Sequence, residues 1–307
     1  MDKQEENFFH PKDTREIIEK IIAEGKNQPL SDNIALWFTH FLKIEPKKKK
    51  KQDSQKDKFM FPKQFPEVSQ LMMNALHQRQ QSAFVALSQR HELRKVNAKI
   101  DWRMVIGLGG AHVLETSMTL HHIYGIPYIP GSAVKGIVRH YFVSEKLQSK
   151  CPEEDNLSIL DAILAYPEIQ KLRKEQKYED LQIWCQRYGK IKQETLQKAS
   201  ADWDLLDLGQ TIFGTQGQAG VIVFCDAFPV GNVKFAIDVM NPHYPDYYDS
   251  QGKMPPNDCQ NPKPIPFLTL EQTAFNFYLL LKPREGIAVK KERLRFAAEW
   301  LQAALQM

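Results

Sequence analysis

Near residue 98 the apolar side chains change their spacing, and that change limits the fold class more than any other feature. In "KIDWRMVIGLG", residues 99–109, Ile100, Trp102, Met104, Ile106 and Leu108 alternate with Asp101, Arg103, Val105 and Gly107. Alternate side chains of an extended chain point to opposite faces, so this stretch predicts a strand with one buried face. Before it the spacing is three and four. Ile17, Ile18, Ile21 and Ile22 form one stripe over 13–26, with Asp13 as cap and Glu16 three residues later. Ser31 is placed to open a second helix with Ile34, Trp37, Phe38, Phe41 and Leu42 inward, ended by Pro46. Residues 66–96 read as one long Gln-rich helix. A chain that is helical first and mixed afterwards is α+β.

Downstream, "VIVFCDAF" (221–228), "VKFAIDVM" (233–240), "FLTL" and "TAFNFYLLLK" read as strands. "DWDLLDLGQTIFGTQGQAG" reads as a short helical turn followed by a glycine-punctuated loop, and "NPHYPDYYDSQGK" as part of a long loop. Leu294, Ala297, Ala298, Leu301 and Leu305 share one side of a last helix. Residues 150–200 look like a charged helical insertion. The expected organisation is therefore a helical N-terminal region, 1–98, with a basic loop at 46–63, and a second domain, 99–307, with the insertion. The order of elements past 98 is similar to the β-α-β-β-α-β motif of the RRM, less its closing strand.

The glycines of "IGLGGAHV" mimic a dinucleotide fingerprint, but the third glycine is out of place. The acidic residue due about 20 positions later would fall at Pro127 to Pro130, so a Rossmann site is excluded. The four cysteines, Cys151, Cys185, Cys225 and Cys259, form no C-x-x-C pair, which argues against a disulfide framework or zinc ribbon and favours a reduced, cytoplasmic setting. Cys225, Asp226, Asp238 and His243 match no metal-ligand spacing, so no metal and no cofactor are expected. The N-terminus lacks the apolar core of a signal peptide, and no run approaches the roughly 20 apolar residues of a membrane span.

The net charge of +4 permits a nucleic-acid partner without requiring one. Its distribution is more informative. Residues 1–100 hold 19 Lys and Arg against 13 Asp and Glu, whereas residues 201–250 hold Lys234 alone against seven aspartates. The run Lys47 to Lys51 is either a mobile arm against phosphates or a solvated loop.

The stretch "YGIPYIPGSAVKGIVRHYF", residues 124–142, holds the candidate site. A stiff turn with two prolines leads into Ser132, a favoured N-cap, and a helix burying Val134, Ile137, Val138, Tyr141 and Phe142. Ser132, Lys135 and Arg139 share another stripe. Unpaired amides at a helix start, a hydroxyl and two cations suit a phosphate strand, and equally a solvated helix face. Gly136 costs the helix about 1 kcal/mol relative to Ala, so a close-approaching backbone or ligand is expected there.

"VLETSMTLHHIYGIPYIPGSAVKGIVRHYF" resembles the signature of the RAMP superfamily of CRISPR proteins. "IFGTQGQAGVIVFCDAFP", "DVMNPHYPDYY" and "NPKPIPFLTL" follow in the order seen in its branch of type III-B (Cmr) sixth subunits. The resemblance covers about 99–307. It implies an RRM-like core and a non-catalytic subunit that holds guide RNA, shapes its duplex with target RNA, and meets the repeated backbone subunit and the small helical subunits. It places Gly131, Ser132, Lys135 and Arg139 on guide phosphates, with His121, His122 and Tyr124 stacking on or bonding to nucleotides. It also puts the loop of Gly214, Gln216, Gly217, Gln218 and Gly220 near the same RNA. Target cleavage in the family uses an aspartate in the loop after the first strand. Here "GGAHVLETS" offers His112 and Glu115 but no aspartate. Members usually end in a glycine-rich segment, which this sequence lacks. The alternatives are a metal-independent RAMP endoribonuclease using His121, His122 and Lys135, and a protein concerned chiefly with assembly. Adjacent histidines on an extended segment would point in opposite directions, so at most one of the pair is expected to face RNA.

Overall fold

The computed structural model describes residues 7–8, 12–24, 33–40, 43–44, 67–147, 161, 164–165, 175, 183, 203–257, 262, 264–282 and 291–307. In chain order the described elements are β1 (Asn7–Phe8), α1 (Lys12–Glu24), α2 (Ile34–His40), β2 (Lys43–Ile44) and α3 (Gln70–Ser88). Then come β3 (Glu92–Lys99), β4 (Arg103–Met104), α4 (Gly131–Tyr141) with a π-helical continuation (Phe142–Leu147), and α5 (Trp203–Phe213). The remainder is β5 (Gly214–Thr215), β6 (Gln218–Ala219), β7 (Ile222–Phe224), β8 (Phe228–Val230), β9 (Lys234–Met240), α6 (Pro245–Asp249), β10 (Ile265–Glu271), β11 (Ala274–Leu281) and α7 (Lys291–Ala304). The lysine run, Ser31, Phe41, Leu42 and most of 150–200 lie outside the described residues.

Helices and antiparallel sheets are mixed, as an α+β chain requires. Two compact units form: Met1–Gln78 with Lys99–Tyr128 and Phe228–Phe275, and Arg79–Ala98 with Ile129–Ala227 and Asn276–Met307.

In the first unit β10 lies between β4 and β9, and β9 pairs with it from Ile265↔Met240 to Glu271↔Lys234. Leu268 and Leu270 of β10 are buried, together with Ile34 and Phe38 of α2, Met73, Leu76, Leu114, Met118 and Ile126. Helix α2 is started by Asn33, whose Oδ1 accepts the Leu36 N–H at 3.1 Å.

The strand expected over 100–108 shrinks to Arg103–Met104. The alternation survives weakly, since Met104, Ile106 and Leu108 are half-buried. Beyond Met104, however, the backbone bonds to its own loop: Thr119 N–H to Ile106 O at 2.8 Å and Ser117 N–H to Leu108 O at 3.3 Å. Gly107 sits at φ +75° with its Cα against Thr119 Oγ1, a position closed to a side chain.

In the second unit β11 lies between β3 and β7. Helices α4 and α7 pack on each other and on β7. The core gathers Val134, Val138, Phe142, Phe213, Phe277, Leu279, Trp300 and Leu301. Phe142 lies 4.7 Å from Trp300 and 5.6 Å from Phe213 between ring centroids. Each such side chain contributes about 1.5–3 kcal/mol by leaving water.

The long helix expected over 66–96 stops at Ser88. Arg90 and His91 return their N–H groups to Leu87 O, and Glu92–Lys99 becomes a strand. Pairing with the apolar β11 overrides the helical preference of this charged segment. The segment 221–228, expected as one strand, is split at Cys225 and Asp226 into β7 and β8. The short helical turn expected near 202 is the full helix α5.

Candidate nucleic-acid interface

Helix α4 begins at Gly131, after Pro130, and Ser132 does not cap it: no side-chain cap bond is present. The first amide is instead taken by a residue distant in sequence. Asp226 Oδ1 accepts the Gly131 N–H at 2.7 Å. Gly131 is buried with its Cα against the Phe224 carbonyl, so only glycine lets the helix start sit here. The helix start therefore already holds a carboxylate, which repels a phosphate.

Ser132, Ala133, Gly136, Ile137 and His140 are exposed, and Val134 and Val138 are buried. Ile137, expected inward, is 40% exposed. Among the described residues, and apart from the helix's own backbone, nothing comes within 4 Å of a Cβ built at Gly136, which leaves a backbone patch open. Arg139 is committed: Nη1 lies 2.7 Å from Asp161 Oδ1 and Nη2 donates to Asp161 O at 2.9 Å. Lys135 is half-buried, and desolvation followed by the charge of Arg139 lowers its pKa.

In the other unit, His121, His122 and Tyr124 come together, with a geometry unlike the expected extended one. Residues 122–124 form a turn. Gly125, at φ +66°, donates to His121 O at 2.7 Å. Asn33 Nδ2 donates to Ile123 O at 3.3 Å. His121 Nδ1 accepts the Ile123 and Tyr124 N–H groups at 3.3 and 3.4 Å. The two imidazoles do not point apart. They stack at 5.0 Å and 15°, and Tyr124 stacks on His121 at 4.7 Å. Phe228 and Tyr128 close the cluster from beneath, 5.8 Å apart. His122 stands exposed at its rim.

The glycine-rich loop is a hairpin. Gly214 pairs with Ala219 and Thr215 with Gln218, leaving Gln216 and Gly217 at its exposed tip. Gln216 N–H donates to Ala165 O at 2.9 Å. Gly214, at φ +81°, and Gly220 are needed because backbone passes close to them: Gly214 against Gly220 N, Gly220 against Ile212 O. Gly217 faces open space.

The loop "GGAHVLETS" is stapled by His112. Its Nε2 lies 3.1 Å from Phe38 O, its Nδ1 accepts Leu114 N–H at 3.2 Å, and the ring stacks on Phe38 at 4.4 Å. Burial holds the His112 pKa below its ordinary value.

The sequence singles out Asp226 only as a residue of no metal-ligand spacing, and does not show that it caps α4 or that Asp161 holds Arg139. Asp226 lies 95 positions from the amide it caps, and no spacing rule connects them. Asp238 Oδ2 lies 2.9 Å from Arg103 Nη1. Among the described residues no cluster of His, Cys, Asp and Glu is arranged to hold a metal ion, and no helix is long and apolar enough to cross a membrane.

With this geometry in place, comparison with known proteins assigns the class. The RAMP superfamily model matches residues 103–307, and the chain belongs to that superfamily. It is similar to the CRISPR system Cmr subunit Cmr6 of Pyrococcus furiosus, 36% identical over 183 residues covering 56% of this chain and 52% of that protein. The chain thus spans about half the length of the curated relative it matches. Among solved structures, similarity extends to the cryo-EM structure of the type III-B Cmr-beta bound to cognate target RNA. There the identity is 20%, the TM-score 0.43, and coverage 71% of this chain and 57% of that one. The crystal structure of Cmr6 from Pyrococcus furiosus gives 27% identity and TM-score 0.39 over 69% of this chain and 90% of that one.

Proposed function

We propose that the chain is a non-catalytic, guide-RNA-binding backbone or capping subunit of a type III-B CRISPR effector complex that targets RNA in antiviral defence. The observation that carries this reading is the similarity to the Pyrococcus furiosus Cmr subunit, within a superfamily match that includes the whole of α4. The local chemistry supports it. Gly136 and Ser132 leave a flat helix surface for a sugar–phosphate strand, with Lys135 as a cation beside it. Taken by itself, the other unit offers ring faces of His122 and Tyr124. The RRM-like reading of the core is supported by the β3–β11–β7 order, with β11 and β7 antiparallel, and by α4 and α7 packed on β7.

The guide strand crosses the exposed flank of α4 at Gly136 and Lys135 rather than its first turn, where Asp226 sits. Partners are guide and target RNA, the repeated backbone subunit and the small helical subunit. A non-catalytic role fits His112, whose two ring nitrogens are both engaged with backbone, and His121, whose Nδ1 already accepts two amides. The test is binding and cleavage of labelled single-stranded RNA by the purified chain, alone and with type III-B partner subunits. Binding without cleavage supports the proposal. Efficient cutting that is lost on His122→Ala favours the endoribonuclease instead.

A further inference from the structure

We infer that Trp102 is a stacking platform for one unpaired base of the bound RNA, an inference that rests on the RNA-binding reading above. Tryptophan is rarely left in water, yet Trp102 is 74% exposed. The indole is nonetheless held. The Arg103 guanidinium carbon lies 5.6 Å from the ring centroid, and Arg103 is itself fixed by Asp238 at 2.9 Å. One side of the indole is thus backed by a tethered cation, and much of its surface remains in solvent. A ring backed on one side by a fixed cation loses less freedom when a base stacks on it than an unsupported one.

The residues before Trp102 form an open cavity of about 430 Å³ lined by Lys99, Ile100, Asp101 and Gln272. Its floor is pinned. Ile100 N–H donates to Thr273 O at 2.9 Å, and the Thr273 hydroxyl donates to Glu271 O at 3.0 Å while accepting the Lys234 N–H at 3.2 Å. This bracing holds Gln272 at φ +52°, a costly conformation for a residue with a side chain. The groups around the cavity are those a nucleotide needs: the Lys99 ammonium for a phosphate, and the Asp101 carboxylate and Gln272 amide for the hydrogen-bonding edge of a base. A protein hot spot would set its tryptophan among apolar neighbours that exclude water, whereas the Trp102 ring has the Arg103 guanidinium against it, and the adjoining cavity is lined by Lys99, Asp101 and Gln272 beside Ile100. The observations therefore favour a nucleotide.

The test uses the full chain and two fluorescein-labelled probes of equal length, a single-stranded oligoribonucleotide and its abasic counterpart. Anisotropy titrations compare wild type, Trp102→Ala, Trp102→Phe and Lys135→Ala, with unfolding curves to confirm that each variant folds. We expect Trp102→Ala to weaken the base-bearing probe about tenfold, Trp102→Phe to restore most of that, and abasic binding to stay unchanged. Two results overturn the platform while leaving the RNA reading intact: Lys135→Ala weakens binding and Trp102→Ala does not, or Trp102→Ala weakens both probes equally. A wild-type chain that binds neither probe overturns both readings.

Discussion

The carboxylate of Asp226 accepts the backbone N–H of Gly131 at 2.7 Å, closing the start of α4 from the far side of the sequence. A negative side chain at a helix N-terminus stabilises the helix and competes with any other anion for the same amide. Asp226→Ala is expected to cost on the order of 1 kcal/mol. Asp226→Asn keeps an acceptor but removes the charge, so stability should hold within a few tenths of a kcal/mol. On the proposed function, RNA affinity should rise with that variant. Denaturant titration and RNA anisotropy on both variants check this.

Lys135 and Arg139 lie one turn apart on α4 but are not equivalent. Arg139 makes two contacts with Asp161, whereas among the described residues the Lys135 ammonium shows no side-chain hydrogen bond or ion pair. Lys135→Ala should weaken RNA binding and reduce the slope of log affinity against log salt by about one. Arg139→Ala should instead lower the stability, and with it the unfolding midpoint, by about 1 kcal/mol of unfolding free energy for a partly exposed pair, with a smaller effect on the salt slope. Salt-dependent binding beside thermal unfolding separates the two.

His112 gives the fold a pH dependence of definite sign. Burial lowers its folded-state pKa below the ordinary 6.5, so the unfolded chain takes up a proton first as pH falls. The stability it contributes is complete above 6.5 and is lost as pH falls through that value toward the lower folded pKa. The unfolding midpoint should therefore drop on acidification from pH 7.5, and His112→Gln should flatten that drop. A midpoint that rises on acidification would contradict the dominance of burial over the Phe38 carbonyl contact at His112.

Cys225 should be a slow thiol. Burial, aided by the neighbouring Asp226 charge, pushes its pKa up to about 11. With the other three cysteines replaced by serine, alkylation by iodoacetamide at pH 8 should run well below the rate of free cysteine. Asp226→Asn should speed it modestly, since it removes the smaller of the two causes.

Much of the fold is legible where one period runs uninterrupted. The strands at 234–240 and 265–281 and the helix at 291–304 fall close to their apolar patterns. Legibility fails where a distant partner decides. Glu92–Lys99 carries helix-forming charges, and only the apolar β11 makes it a strand. The alternation at 100–108 is genuine, but β10 offers a ladder to Arg103 and Met104 alone. For the site, residue types were readable and their commitments were not. The Asp226 cap, the Asp161 tether on Arg139 and the stacking of His121 on His122 join atoms that no local rule places together. The glycines divide likewise: Gly214 and Gly220 serve the hairpin's own backbone, while Gly136 and Gly217 face open space.

The central claim is that RNA lies against the open flank of α4 beside Lys135. The most direct measurement is photo-crosslinking of a 4-thiouridine-substituted guide RNA to this chain within a reconstituted type III-B complex, with the attached peptides mapped by mass spectrometry. Crosslinks on the peptide that contains Ser132 to His140, lost on Lys135→Ala, are the predicted result. Crosslinks confined to peptides outside that helix, with α4 unlabelled, would contradict it.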